Sequence, residues 1–149
     1  MSEIRFYHLQ TQDLGQALPQ VLTKAIAGGK RVVIRLPNDD IAEKMAAHLW
    51  TYNPDSFLPH GTKKDGFAED QPIYITAGND NPNKADLLIT GMGVAPDDVD
   101  HFALVCEFLD GHDDAQIAAA RQRWKTYKDA GHAITYWQQT PTGGWEQKA

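Results

Sequence analysis

Apolar positions along the chain switch between two spacings. Residues 4–9, Ile4-Arg-Phe-Tyr-His-Leu9, place apolar side chains at alternate positions, which predicts a strand. Leu14, Leu18, Val21, Leu22, Ala25 and Ile26 then recur at helical spacing, and Gly28-Gly29 stop the helix. Residues 31–36 are rich in β-branched side chains and bounded by Pro37, the pattern of a buried parallel strand. Asn38 or Asp39 can cap a second helix whose apolar face holds Ile41, Met45, Ala46, Leu49 and Trp50.

The stretch 53–71 contains Pro54, Pro59, Gly61 and Gly66 and predicts a long loop. Short strands are expected at 72–76 and 85–90, separated by the turn-rich 78–83, and a further strand at 102–109. His112-Asp113-Asp114 reads as an N-cap for a third helix that runs to Gly131, and residues 133–137 make a last strand. Alternating strands and helices imply an α/β sheet with helices on its faces, in one domain over 1–137. Residues 138–149 read as a polar C-terminal tail.

Composition narrows the function classes. Twenty acidic against 14 basic residues give a formal net charge of -6, which argues against bulk nucleic-acid binding, because that affinity comes from many Lys and Arg contacts to phosphate. The single Cys106 lies inside an apolar run and reads as a small buried hydrophobe; one cysteine forms no disulfide within the chain and fits a reducing compartment. No stretch approaches the ~20 apolar residues of a membrane span, and no signal-like leader opens the chain, so a cytoplasmic protein is expected.

Catalytic motifs are missing from the pattern. Gly28-Gly29-Lys30-Arg31 superficially looks like a phosphate loop, but a helix leads in and a strand follows, the reverse of the order that aims helix amides at phosphate. Gly91-Met-Gly93 lacks the third glycine and the helix of a dinucleotide fingerprint. The six histidines form no i, i+4 pair, so no metal is expected, and Ser2 and Ser56 are the only serines. No cofactor is expected either.

Two constellations look like binding surfaces. At about 100° per residue, Arg121, Trp124, Lys125 and Lys128 share roughly a third of the third helix, whereas Arg123 points elsewhere. The plain reading is a solvated face with a half-buried Trp. The functional one is an apolar notch, lined by Trp124 with Leu109 beside it, next to cations that pair with carboxylates of a short acidic peptide with a hydrophobic end. The second constellation is Leu49-Trp50-Thr-Tyr52-Asn-Pro54-Asp-Ser-Phe57-Leu58-Pro59-His60. It reads either as a lid folded on the core or as an aromatic docking patch.

Phe6-Tyr7, 29–34, Leu49-Trp50, 56–60 and above all 120–131 resemble, in order and spacing, segments of the chi-subunit family of the bacterial DNA polymerase III holoenzyme. The resemblance covers nearly the whole chain to about Trp137. It implies a single-domain Rossmann-like fold with a mostly parallel sheet and helices on both faces. It also implies no enzymatic activity, and an adaptor role in the clamp-loader complex that grips the acidic, Phe-ending C-terminal tail of single-stranded DNA-binding protein. On that resemblance Arg121, Trp124 and Lys125 match the tail-binding helix, with Leu109 as apolar neighbour and Lys128 adding attraction. Trp50, Phe57, Pro59 and His60 match the surface that docks the psi subunit. Residues 61–71 and the tail depart from the family pattern. No direct nucleic-acid contact and no membrane are expected. The alternative is an α/β nucleotide-binding domain or enzyme with its site at the C-terminal ends of the strands.

Overall fold

The computed structural model describes residues 2–52 and 58–149. In chain order the elements are β1 (Glu3–Leu9), α1 (Leu14–Ala27), β2 (Val32–Arg35), α2 (Asp39–Thr51), β3 (His60–Gly61), β4 (Ile73–Thr76), β5 (Leu87–Thr90), β6 (Leu104–Asp110), α3 (Asp114–Asp129), β7 (Ala133–Gln139) and β8 (Trp145–Gln147). One sheet takes the order β3-β4-β2-β5-β6-β1-β7-β8. Every pairing is parallel except the last, where β8 runs antiparallel to β7.

Each helix begins where a short polar side chain can take up orphan amides. The Asp13 carboxylate accepts from the Gln16 amide, and the Gln16 side chain answers the Asp13 amide in a capping box. Asn38 caps α2 through the Ile41 amide, and Asp113 caps α3 through the amides of Ala115 and Gln116. The helix α1 ends at Gly28, and Gly29 follows with φ of 74°, a left-handed conformation that a residue with Cβ resists. Gly28-Gly29 thus stop the helix, as the order of elements in the sequence predicts.

Strand alternation divides the core into two layers. Val32, Ile34, Ile73, Ile75, Leu87 and Ile89 face α1 and α2, where Leu18, Leu22, Met45 and Leu49 cover them. Ile4, Phe6, Val105 and Leu109 face α3, which contributes Ala120 and Tyr127, while Val33 and Leu88 pack with Val99 and Phe102 from the chain after β5. Helices thus stand on both faces, and each large aliphatic chain fully buried contributes about 1.5–3 kcal/mol. At the end of β2 the buried Arg35 guanidinium grips Asp98 with two nitrogens, donates to the Asn79 carbonyl and lies 5.4 Å from the Phe102 ring. Arg35 in turn holds the Asp98 carboxyl below its ordinary range. This network fastens loops to the part of the sheet that α3 does not reach.

Three boundaries differ from the sequence expectation. The expected long loop contains β3 and the 3₁₀ turns Lys63–Asp65 and Ala68–Asp70. A two-residue His-Gly strand has no alternation to reveal it. Residues 138–149 are structured: β7 continues to Gln139 and β8 pairs with it, so the expected polar tail adds an edge strand. Phe102 ends the turn Val99–His101, so β6 begins later, at Leu104.

Candidate functional site

The helix α3 is apolar over a narrow arc only. Ala120 and Tyr127 are buried, Ile117 and Trp124 pack partly against the same cluster, and Arg121, Lys125 and Lys128 are exposed on one flank. The core direction passes between Arg123 and Trp124, so Trp124 sits at the border where an indole can be anchored by one edge and offered by the other. Its ring centroid lies 5.8 Å from Phe6 and 6.1 Å from Tyr136 in an edge-on arrangement, and Tyr136 stacks on Phe6 at 6.3 Å.

These rings leave an open hollow of about 290 Å³ lined by Ala120, Arg121, Trp124, Tyr136 and Ala149. That volume is at the lower edge of small-molecule pockets, roughly 300–1,000 Å³, and suits one apolar side chain better than a dinucleotide. Arg121 and Trp124 thus share one recess, with Lys125 and Lys128 on the exposed surface beside it. Leu109 does not line the hollow; it is 2% exposed within the apolar cluster on which Trp124 packs. Tyr136 takes the lining position that sequence reasoning missed. Its alternation with Ile134 on β7 signals a shared face, but only the pairing of Phe6 with Tyr136 brings that face to α3.

Electrostatics single out Arg121. Among the described residues Arg5 pairs with Glu3, Arg31 donates to the Glu69 carbonyl, Arg35 grips Asp98 and Arg123 pairs with Glu107. Arg121 alone of the five arginines has neither an ion pair nor a hydrogen bond among them. Next to the hollow, His8 Nδ1 lies 2.6 Å from the Tyr136 hydroxyl. Burial, helped by His112 and Arg121, pushes the His8 pKa down and favours its neutral ring. Burial pushes the Tyr136 hydroxyl pKa up, against the opposing pull of Arg121.

On the other flank of α3, Arg123 Nε donates to Glu107 Oε1 at 2.7 Å, with the glutamate side chain 2% exposed on β6. Burial pushes the Glu107 pKa up even though Arg123 pulls it down. The Tyr127 hydroxyl lies near the same carboxylate, though neither it nor Glu107 Oε2 completes a hydrogen bond of good geometry. This pair fixes α3 to the sheet and so aims the opposite flank outward.

The second constellation divides. Trp50 at the end of α2 is 47% exposed, and its ring lies 4.2 Å from that of His60. His60 is buried, with Nδ1 against the Leu58 carbonyl at 2.6 Å and Nε2 against the Ala46 carbonyl at 2.9 Å. It clips β3 to α2 beneath the indole. Leu58 is buried, Pro59 is half-buried, and Phe57 lies outside the described residues. Lid and patch are therefore layered here, with buried Leu58 and His60 below and Trp50 above.

A crevice also opens where β1 and β6 send α1 and α3 to opposite faces, the usual ligand position of an open α/β sheet. Its volume is about 350 Å³, and Asp13 and Asp110 are among its lining residues. Asp13 and Asp113 already satisfy helix amides that a phosphate would need. Cys106 is buried and its thiol is pushed up to about 12 by desolvation, which keeps it in the inert protonated form. Among the described residues, no group of three His, Cys, Asp or Glu side chains is placed to hold a metal ion, and no helix is long and apolar enough to cross a membrane.

A family model described as "DNA polymerase III chi subunit, HolC" matches residues 1–135. The chain is 30% identical over 109 residues to a probable DNA polymerase III subunit chi of Rickettsia prowazekii, a match that spans 73% of this chain and 64% of that protein. It is 28% identical over 139 residues to the DNA polymerase III subunit chi of Escherichia coli, spanning 88% and 94% of the two chains. The corresponding subunit of Haemophilus influenzae is 31% identical over 104 residues, spanning 69% and 72%. With the family model matching through residue 135 and relatives named as this subunit along most of the chain, the chain belongs to the DNA polymerase III chi subunit family, whose members are accessory subunits of the polymerase.

Proposed function

We propose that the chain is a non-enzymatic adaptor of the clamp-loader complex, and that α3 grips the acidic, Phe-ending C-terminal tail of single-stranded DNA-binding protein. The observation that carries this reading is the shared hollow: the one arginine left without a partner among the described residues and a half-buried indole line the same recess. A carboxylate of the guest would pair with the Arg121 fork while its terminal ring enters between Trp124 and Tyr136. Lys125 and Lys128 would add screened attraction to the acidic residues upstream. Leu109 would support the indole from below. Trp50 and Pro59, with Phe57, would dock a companion subunit, psi or its equivalent, over the fastening made by His60.

Calorimetric titration with an acidic peptide ending in Phe tests the site. A hydrogen bond to a charged group is worth roughly 1.5–3 kcal/mol, so Arg121→Ala should weaken binding on the order of tenfold or more. Equal affinity of the variant and the wild-type protein would refute the assignment.

A further inference from the structure

The hollow on α3 has a wall that comes from the far end of the chain. Beyond β8 the backbone keeps running beside β7: the Lys148 amide donates to the Tyr136 carbonyl at 2.8 Å, and the Tyr136 amide donates to the Ala149 carbonyl at 3.2 Å. Both outward backbone groups of Tyr136 are thereby taken, and Ala149 joins Ala120, Arg121, Trp124 and Tyr136 around the recess. We infer that residues 145–149 are a strap that completes the peptide site. It walls the hollow opposite α3 and closes the β7 edge, so that a guest is read by its terminal side chain and its charge and not by strand addition at Tyr136. The inference rests on the peptide site proposed above.

Two features support a wall over a passive end. Trp145 is anchored, its ring 4.9 Å from that of Tyr7 and edge-on to it, so the strap is pinned at its start. Its last residues are exposed and held to β7 by backbone hydrogen bonds at Tyr136. The strap can therefore be detached at its end without disturbing the core.

Three variants of the full protein, each titrated with the acidic Phe-ending peptide, test this. Lys148→Pro removes the amide that donates to Tyr136. Removal of Lys148 and Ala149 takes the wall away. Lys148→Gln keeps the amide and controls for the lost charge. The first two should each weaken binding about fivefold, the size of a wall contact of a few tens of Å². Lys148→Gln should stay within about twofold of the wild-type protein, as expected for an exposed charge. Unchanged or tighter binding by the detached or shortened chains overturns the wall, and tighter binding would make the strap a competitor. Equal losses in Lys148→Gln and Lys148→Pro overturn it too, since charge alone would then account for both. If Arg121→Ala binds as well as wild type, the site itself has been misplaced and the wall falls with it.

Discussion

Replacing Arg123 with alanine should cost stability without touching the proposed peptide site. Arg123 and Glu107 meet at 2.7 Å with side chains only 17% and 2% exposed, so the pair belongs to the buried regime and not to the surface one. Removing one partner of a buried pair typically costs about 3–5 kcal/mol, because the other charge is stranded. Glu107 has an escape, which caps the loss. Taking a proton at pH 7 against an ordinary glutamate pKa of about 4.3 costs about 3.7 kcal/mol, and at pH 5 only about 1 kcal/mol. The expected loss is thus about 3 kcal/mol at neutral pH, shrinking to about 1 kcal/mol near pH 5.

The direction follows from linkage. Burial already holds the Glu107 pKa above its unfolded value, so the folded chain binds that proton more tightly. Its contribution is fully present below the unfolded value and is lost as pH rises through the folded one. Removing Arg123 raises the folded value further and widens that window. Urea unfolding of Arg123→Ala, Glu107→Gln and the double variant at both pH values measures this. The double variant should recover most of the neutral-pH loss, since no charge is left stranded. Losses below ~1 kcal/mol at neutral pH, or equal at both, would refute the reasoning. Peptide affinity of folded Arg123→Ala should remain within about twofold, because Arg123 lies on the flank opposite Arg121.

Two further outcomes follow from burial. The Cys106 thiol, pushed up to about 12, should resist a disulfide reagent in the native protein and react as soon as denaturant is added; fast native labelling would contradict its place in the sheet. Trp50→Ala should leave the melting temperature within about 4 °C, since the indole is half exposed, yet abolish co-purification with clamp-loader subunits. Undiminished co-purification would remove Trp50 from the proposed docking surface.

The helices and central strands were legible because their signals are local. Asp13 with Gln16, Asn38 and Asp113 are caps that any extended chain would display, and Val32 to Ile34 form an unbroken apolar run. Elements defined by pairing alone were not legible. Nothing in His60-Gly61 or in Trp145-Glu-Gln announces a strand; each exists because β4 or β7 offers a free edge. The site divides in the same way. Helical angle placed Arg121, Trp124 and Lys125 together and set Arg123 apart, but it did not show where the core lay. Leu109 ends its expected strand, which suggests a neighbour of the indole, yet Ala120, Trp124 and Tyr127 pack over the cluster that holds it. Tyr136 reaches the hollow through a parallel pairing with β1 across 130 residues of chain. Ala149 reaches it through a turn and a short edge strand.

Charge favours the recess on α3 over the sheet's crevice as the place for the acidic guest proposed above. An open parallel sheet ordinarily binds anions where its first and later strands send helices to opposite faces, because unpaired amides point there. In this chain aspartates occupy the caps of α1 and α3, and Asp110 adds a further carboxylate at the crevice wall. An incoming carboxylate would meet Asp13 and Asp110 at the crevice wall, with Asp113 on the adjoining helix cap. The cations that might have offset them are spent elsewhere: Arg35 on Asp98, Arg123 on Glu107, Arg5 on Glu3. Arg121 has no such partner among the described residues and stands beside Lys125 and Lys128, on a helix whose apolar arc is so narrow that its indole stands at the rim. With a net charge of -6 the whole chain repels a polyanion at long range, and in salt the Debye length of about 10 Å hides most of that repulsion from a short tail docking at one spot. A bare oligonucleotide, which needs many phosphate contacts spread along a surface, gains little from a single cluster of this kind. On the proposed reading these three cations would discriminate by extent: enough for a peptide's few carboxylates, too few for a strand of DNA.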